Sequence, residues 1–210
     1  MRISELSAAS GTPVSTIKYY LREGLVERGE PTAANQAAYG DEHLRRLRLI
    51  RALTDVGGVG IAEVRAVLEA LAKPRTPIHR TIGVAQYALG PPEDDGPVPA
   101  DVLQARAEVD AFITARCWNV HADAPARRML ADALVTLRRL GQEATTGLFE
   151  PYADIVDELA VWELGILPAQ GSRSAIVEGA IVGTVVFEAA LAALRRLAHE
   201  HHSAERFGRS

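Results

Sequence analysis

Between Ser15 and Arg22 the chain carries hydroxyl, cationic and aromatic side chains at a spacing that could grip a polyanion. In Thr12-Pro13-Val14-Ser15-Thr16-Ile17-Lys18-Tyr19-Tyr20-Leu21-Arg22-Glu23-Gly24, Val14, Ile17 and Leu21 recur at i, i+3 and i+7, which predicts a buried helical stripe. Ser15, Thr16, Lys18, Tyr19 and Arg22 then turn outward, a face suited to base edges in a major groove and to the flanking phosphates. Thr12 is the predicted N-cap with Pro13 at the first helical position, and Gly24 ends the helix. A short helix holding Ile3 and Leu6, with Ser10-Gly11 as the turn, completes a helix-turn-helix order.

Other chemistry is thin. No Ser/His/Asp set, paired carboxylates or Gly-rich phosphate loop stands at a working spacing, so neither an enzyme nor a cofactor is expected. A single cysteine, Cys117, excludes an intramolecular disulfide framework and a multi-cysteine metal site, and points to a reducing, cytoplasmic setting. Beside Trp118 it is expected as a buried small hydrophobe. The run His199-Glu200-His201-His202 offers ligand atoms, but no metal is assigned to it. The N-terminal MRISELSAAS lacks the apolar stretch of a signal peptide. Ala175 to Leu194 is the most apolar run; Glu178 and Glu188 inside it would be costly in lipid, so it is read as a buried helix and not as a membrane span.

The elements that must position these residues are mostly helical. Net charge is −4, which alone argues against nucleic acid. Residues 1–73, however, hold ten Lys/Arg against nine Asp/Glu, so the acidic surplus lies beyond them. Lys73-Pro74-Arg75-Thr76-Pro77 ends a helical pattern, and Gly90 to Pro99 is too rich in Pro and Gly for helix or central strand. Between these breaks Ile78, Ile82, Ala85 and Leu89 predict a short helix. Further helices are expected over Asp101–Cys117 (Val102, Val109, Phe112 and Ile113 inward), Asp123–Leu140 (Asp123 as N-cap, Gly141 as stop), Pro151–Gly165 (Tyr152, Ile155, Val156, Leu159 and Trp162 on one stripe) and Ser172–His202. The expected division is a DNA-binding domain over 1–73, a short helix and Pro-rich linker over 74–100, and a helical effector and dimerisation domain over 101–210.

Ile3-Ser4-Glu5-Leu6, then Thr16-Ile17-Lys18-Tyr19-Tyr20 with Arg22-Glu23-Gly24-Leu25, resemble the N-terminal signature of the MerR family of transcriptional regulators. The likeness continues through Leu25-Val26 and Ala38-Tyr39 as arms of a first wing, Asp41 to Ile50 as a third helix, and Gly58 to Val64 as a second wing and fourth helix. The resemblance implies an all-α fold with a small β wing, a winged helix-turn-helix that binds double-stranded promoter DNA as a homodimer, with RNA polymerase at the same promoter. It implies that Lys18 and Tyr19 contact DNA and that Tyr20 lies near the phosphate backbone. Where the family usually has an arginine two residues before the closing tyrosine, this chain has Ala37; Arg28, Asn35 or Gln36 stand ready to replace it, and Arg46 is a further phosphate-contact candidate.

The second half departs from the family plan. Ile78 to Leu89 is too short for the usual dimer helix, so dimerisation is expected in Ser172 to His202, where Gly179 and Gly183 would admit a partner backbone. The cysteines of the family's metal sensors are missing, which leaves a small organic effector as the expected input, received by Phe112, Trp118, Tyr152 and Trp162. A ligand-independent repressor or nucleoid-type DNA-binding protein is the alternative, and an enzyme carrying a DNA-binding domain is a rival of another class.

Overall fold

The computed structural model describes residues 1–33, 36–73, 77–88, 90, 96–167 and 173–208. In chain order it has α1 (Ile3–Ser10), α2 (Val14–Arg22), strands β1 (Glu30–Ala33) and β2 (Gln36–Ala38), then α3 (Asp41–Arg51), which runs into a wide π-helical turn, Ala52–Val56. There follow α4 (Ile61–Leu71), α5 (Ile78–Ala88), α6 (Ala100–Ala115), α7 (Pro125–Arg139), a 3-10 turn over Thr146–Phe149, α8 (Glu150–Gly165) and α9 (Arg173–Phe207). The expected all-α fold with a small β wing is what forms. Asn35, Leu89, residues 74–76 and 91–95 of the linker region, and Ser172 lie outside the described residues.

The contacts divide into two compact units, Met1–Ala85 with Pro168–Ser210, and Gln86–Leu167. The first is built on Leu6, Ile17, Leu25, Leu47, Ile50, Leu53 and Val64, all essentially free of solvent. Each such side chain contributes about 1.5–3 kcal/mol of hydrophobic stabilisation. The wing is an antiparallel pair with Glu30 opposite Ala38 and Pro31 opposite Ala37. It begins later than the sequence suggests: Leu25 and Val26, expected as its first arm, are core residues, 1% and 2% exposed. Gly29 sits where a Cβ would lie 2.6 Å from the Ala38 carbonyl oxygen, so only glycine lets the two arms close. The Met1 ammonium donates to the Tyr39 carbonyl and the Tyr39 N–H to the Met1 carbonyl, both at 2.8 Å, tying the chain start to the foot of the wing.

The grouping of α9 differs from the sequence expectation, which put it in one domain with residues 101–167. Val177, Ala180, Ile181 and Val185 are buried, and α9 packs on the Ala52–Val56 turn and α4. Spacings of three and four keep those four residues on one face. Beyond about Ala190 the helix is exposed throughout. The run Ala175–Leu194 is therefore buried only in its first half, although Ala175–Phe207 is long and apolar enough to cross a membrane by composition alone. Arg45 Nη2 donates to Glu178 Oε1 at 3.0 Å and so joins α3 to α9.

In the second unit α6 and α7 pack over Ala105, Val109, Phe112, Ile113, Ala131, Leu134 and Val135. Neither Asp123 nor any other side chain caps α7; Ala124 holds the cap position, Pro125 begins the helix, and Gly141, with φ +83°, closes it. The α8 stripe is a correction. Tyr152, Ile155, Val156 and Trp162 face solvent, Trp162 at 57%, and Ala153 is the residue of α8 that is buried. Cys117, expected inside, is exposed. It occupies the left-handed region at φ +56° just after α6, where the chain turns outward.

Glu108 accepts from both terminal nitrogens of Arg138, at 3.1 and 2.6 Å, and the hydrogen bonds from Arg138 hold its carboxyl below the usual value of 4.5. A carboxyl whose pKa falls on folding adds stability above its unfolded pKa, and that stability is lost as pH drops through the folded value. Asp55 and Asp101 are lowered in the same direction by Arg51 and Arg139. Glu108→Gln is expected to lower the melting temperature at about pH 6 and to flatten its decline towards about pH 3. Parallel melting curves for the two proteins across that range would remove Glu108 from the acid response.

Candidate nucleic-acid interface

The recognition helix α2 is anchored by Ile17 at 0% and Tyr20 at 7% exposure, with Val14 and Leu21 half-buried. The inward face is thus rotated relative to the predicted stripe, since Tyr20 takes a core position that Leu21 was expected to fill. Tyr20, expected near the phosphate backbone, has its ring in the core and not on the exposed face of the helix. Ser15, Lys18 and Arg22 are exposed at i, i+3 and i+7, while Thr16 and Tyr19 are half-buried beside them. The Arg22 guanidinium lies 5.4 Å from the centre of the Tyr19 ring, a cation–π contact that holds both side chains over the helix.

Two arginines that sequence reasoning missed fix the ends of this helix. Arg51 Nη1 donates to the Ser10 and Gly11 carbonyls, each at 3.1 Å, while its Nε donates to Asp55 at 2.7 Å. The turn between α1 and α2 is thereby clamped from α3. Gly11 has φ +66°, and a Cβ there would stand 2.6 Å from the same guanidinium. Arg65 on α4 donates to the Glu23 carbonyl at 2.6 Å and to its carboxylate at 3.3 Å, covering the C-terminus of α2. Both partners are some forty residues distant in sequence, so no local pattern signals them.

The N-terminal start of α2 also differs in detail. Pro13, not Thr12, holds the cap position, and no side chain caps the helix. The Thr12 hydroxyl is buried without a partner, and its N–H donates to Ser10 Oγ at 3.2 Å. Arg28 and Gln36 are exposed on the two sides of the wing, and Ala37, in the place of the expected arginine, is half-buried. Arg46 is half-buried; its Nε donates to the Leu25 carbonyl at 3.0 Å. Burial pushes its pKa down, an effect that Glu178 and Glu27 oppose.

The four aromatic residues expected around an effector do not come together: Tyr152 and Trp162 are exposed on α8, while Phe112 and Trp118 belong to the α6–α7 core. Phe112 and Trp118 meet edge to face, with centres 6.4 Å apart, and the Arg116 guanidinium sits 5.8 and 5.2 Å from their centres. Trp118 Nε1 donates to Asp157 at 2.9 Å, and Arg116 pairs with Glu150 and Asp154 at 2.6 Å each. Two surface recesses, one beside Arg46 and one beside Arg106, are lined by other residues.

A clamped helix-turn-helix with an exposed cationic second helix and a two-stranded wing defines a DNA-binding domain of the winged helix-turn-helix class. Residues 1–71 match the family described as MerR HTH family regulatory protein, so the first third of the chain is a helix-turn-helix domain of the MerR type. It is 34% identical over 68 residues to the HTH-type transcriptional regulator ZntR homolog of Haemophilus influenzae, covering 32% of this chain and 50% of that protein. It is 39% identical over 57 residues to the HTH-type transcriptional regulator HmrR of Sinorhizobium medicae, covering 27% of this chain and 39% of that one. The chain thus spans half or less of the length of these relatives. Its whole length aligns with SCO5550 of Streptomyces coelicolor A3(2), provisionally described as a transcriptional regulator. The two are 37% identical with a TM-score of 0.76, covering 100% of this chain and 99% of that one.

Proposed function

We propose that the chain is a transcriptional regulator that binds a two-fold symmetric promoter duplex as a homodimer and adjusts its hold on that promoter when a small organic effector binds. The observation that carries the reading is the exposed Ser15, Lys18 and Arg22 face of α2, set by arginine clamps at both ends. Cations and hydroxyls there can take phosphates and base edges while the wing, with Arg28 and Gln36, follows the backbone. By likeness to the family, RNA polymerase shares the promoter, and the effector changes the twist of the spacer between its two recognition elements. Residues 1–73 supply the DNA contacts, the linker region 74–100 leads to the helical part, and the helices beyond it serve effector response and dimerisation. Titrating duplexes with inverted repeats tests the DNA-binding part; affinity no higher than for random duplex at the same salt would refute it.

Dimerisation is placed on the outer half of α9. Leu191, Leu194 and Leu197 follow one another at three-residue steps, and Leu194 and Leu197 are more than 60% exposed. An apolar run of that kind on a long exposed helix marks an interaction surface more often than a solvated one. Leu194→Asp with Leu197→Asp is expected to yield a folded monomer in sedimentation, with weakened operator binding. A double variant that still sediments as a dimer would move the interface elsewhere.

A further inference from the structure

The run His199-Glu200-His201-His202, to which the sequence alone assigns no metal, gains a member from the next turn of α9. Glu205 Oε1 lies 3.5 Å from His201 Nε2, and Glu205 Oε2 lies 3.1 Å from His202 Nδ1. The two imidazole rings stand at 55° to one another, with centres 4.8 Å apart. One ligand atom from each residue, two nitrogens and one oxygen, lies within 4.8 Å of the others. Spacings of three and four make side chains neighbours on a helix, which is why one carboxylate meets both rings. His199 is not part of this group.

Geometry, charge and access all suit the group to a divalent transition ion. Bonds of about 2.0–2.2 Å to a tetrahedral ion set its ligands about 3.3–3.5 Å apart, so two of the three separations stand close to the needed value. Among the described residues Glu205 pairs with no Lys or Arg; its partners are the two imidazoles. A neutral imidazole is a metal ligand and not a counter-charge, which leaves the carboxylate's charge for an ion. The neighbouring Arg206 is instead set 5.2 Å from the centre of the Phe207 ring. The three side chains are 61–73% exposed, so an ion reaches them from solvent.

We propose that His201, His202 and Glu205 bind a divalent transition-metal ion of the zinc type, with water completing the coordination. Two imidazoles and one carboxylate favour zinc, nickel or copper. Magnesium and calcium, which demand six or more oxygen ligands, are poorly served. His201 and Glu205 continue the face of α9 that carries Leu194 and Leu197. A bound ion therefore pins the end of the helix on which dimerisation is placed above, and this regulatory consequence alone rests on that reading.

The test uses the full chain without DNA. Zinc chloride is titrated in a calorimeter at about pH 7.5, where imidazole ligands are largely deprotonated, with magnesium and calcium chloride run alongside. Saturable binding of one zinc per chain is expected, with a Kd of about 10 µM or below. His201→Ala, His202→Ala and Glu205→Gln are each expected to weaken it at least about tenfold. All three sites are exposed, so melting without metal should not change. His199→Ala leaves the group whole and is expected to bind as wild type does, which separates a defined site from a histidine-rich helix end. Zinc should also slow amide exchange over residues 201–207. The proposal fails if no saturable binding is seen, if His199→Ala costs as much as His201→Ala, or if magnesium or calcium binds as tightly. Sedimentation with and without zinc then examines the consequence, and tighter self-association is expected. Binding that leaves self-association unaltered keeps the site and removes its link to dimerisation.

Discussion

Replacing Lys18 and Arg22 together by alanine is expected to weaken operator binding by about two to three orders of magnitude at moderate salt, with no loss of folded protein. Both side chains are exposed, so their removal costs the core nothing. In a dimer each substitution acts twice. The base-edge contact expected of Arg22 is worth about 1–3 kcal/mol, so its loss once per subunit spans roughly 2–6 kcal/mol, and the two Lys18 phosphate contacts add the salt-dependent part. Lys18→Ala alone should flatten the slope of log affinity against log salt by about two, one released counterion per subunit. The Arg22 contribution should instead depend on duplex sequence, because its contact with the Tyr19 ring holds the guanidinium in a defined direction. Equal affinities and slopes for wild type and the double variant would mean that α2 is not the reading helix.

Gly57→Ala is expected to destabilise the first unit by about 1–3 kcal/mol through overpacking. The residue has φ −81° and ψ −13°, ordinary for alanine, so backbone conformation does not demand glycine. Space does. A Cβ there would collide with the Val185 side chain, stand 2.8 Å from the Leu53 carbonyl oxygen and 3.1 Å from a Val59 methyl. Val185 is buried on α9, and the Leu53 carbonyl belongs to the π-helical turn, so neither neighbour gives way cheaply. The melting temperature should fall by roughly 3–12 °C, with faster amide exchange in Val177–Val185. Adding Val185→Ala should restore part of the loss by relieving one of the three collisions. Unchanged melting and exchange would show that α9 is not seated as described.

The helix-turn-helix was legible because its signals are local: periodic apolar residues, a proline at the start of α2 and glycines at both turns. Gly11 and Gly24 are indeed left-handed, at φ +66° and +70°. The outward set Ser15, Lys18 and Arg22 could be read for the same reason, although Tyr20 was not separable from Tyr19 by spacing alone. What periodicity supplies is a face, never the surface that meets it. The α8 stripe was therefore legible as a stripe and misread as core. For the same reason α9 was recognised as a long helix, while its seat on the Ala52–Val56 turn went unseen. Leu25 and Val26 looked like strand because branched and apolar residues suit strands, yet burial in the core of the first unit claimed them first. Arg51 and Arg65 were invisible: a guanidinium bonding to a carbonyl forty residues away leaves no pattern in either segment.

Those two clamps have a consequence for how much mutation each position tolerates. Arg51 grips the Ser10 and Gly11 carbonyls, and Arg65 grips the Glu23 carbonyl, so what they recognise is main chain, which every residue type presents. The carbonyls would survive a substitution there, although Ser10 Oγ also accepts from the Thr12 N–H and the Glu23 carboxylate from Arg65. The arginines have no such latitude, since lysine offers a point charge and not a planar fork. The placing of α2 is thus concentrated in two arginines that lie outside it, one on α3 and one on α4.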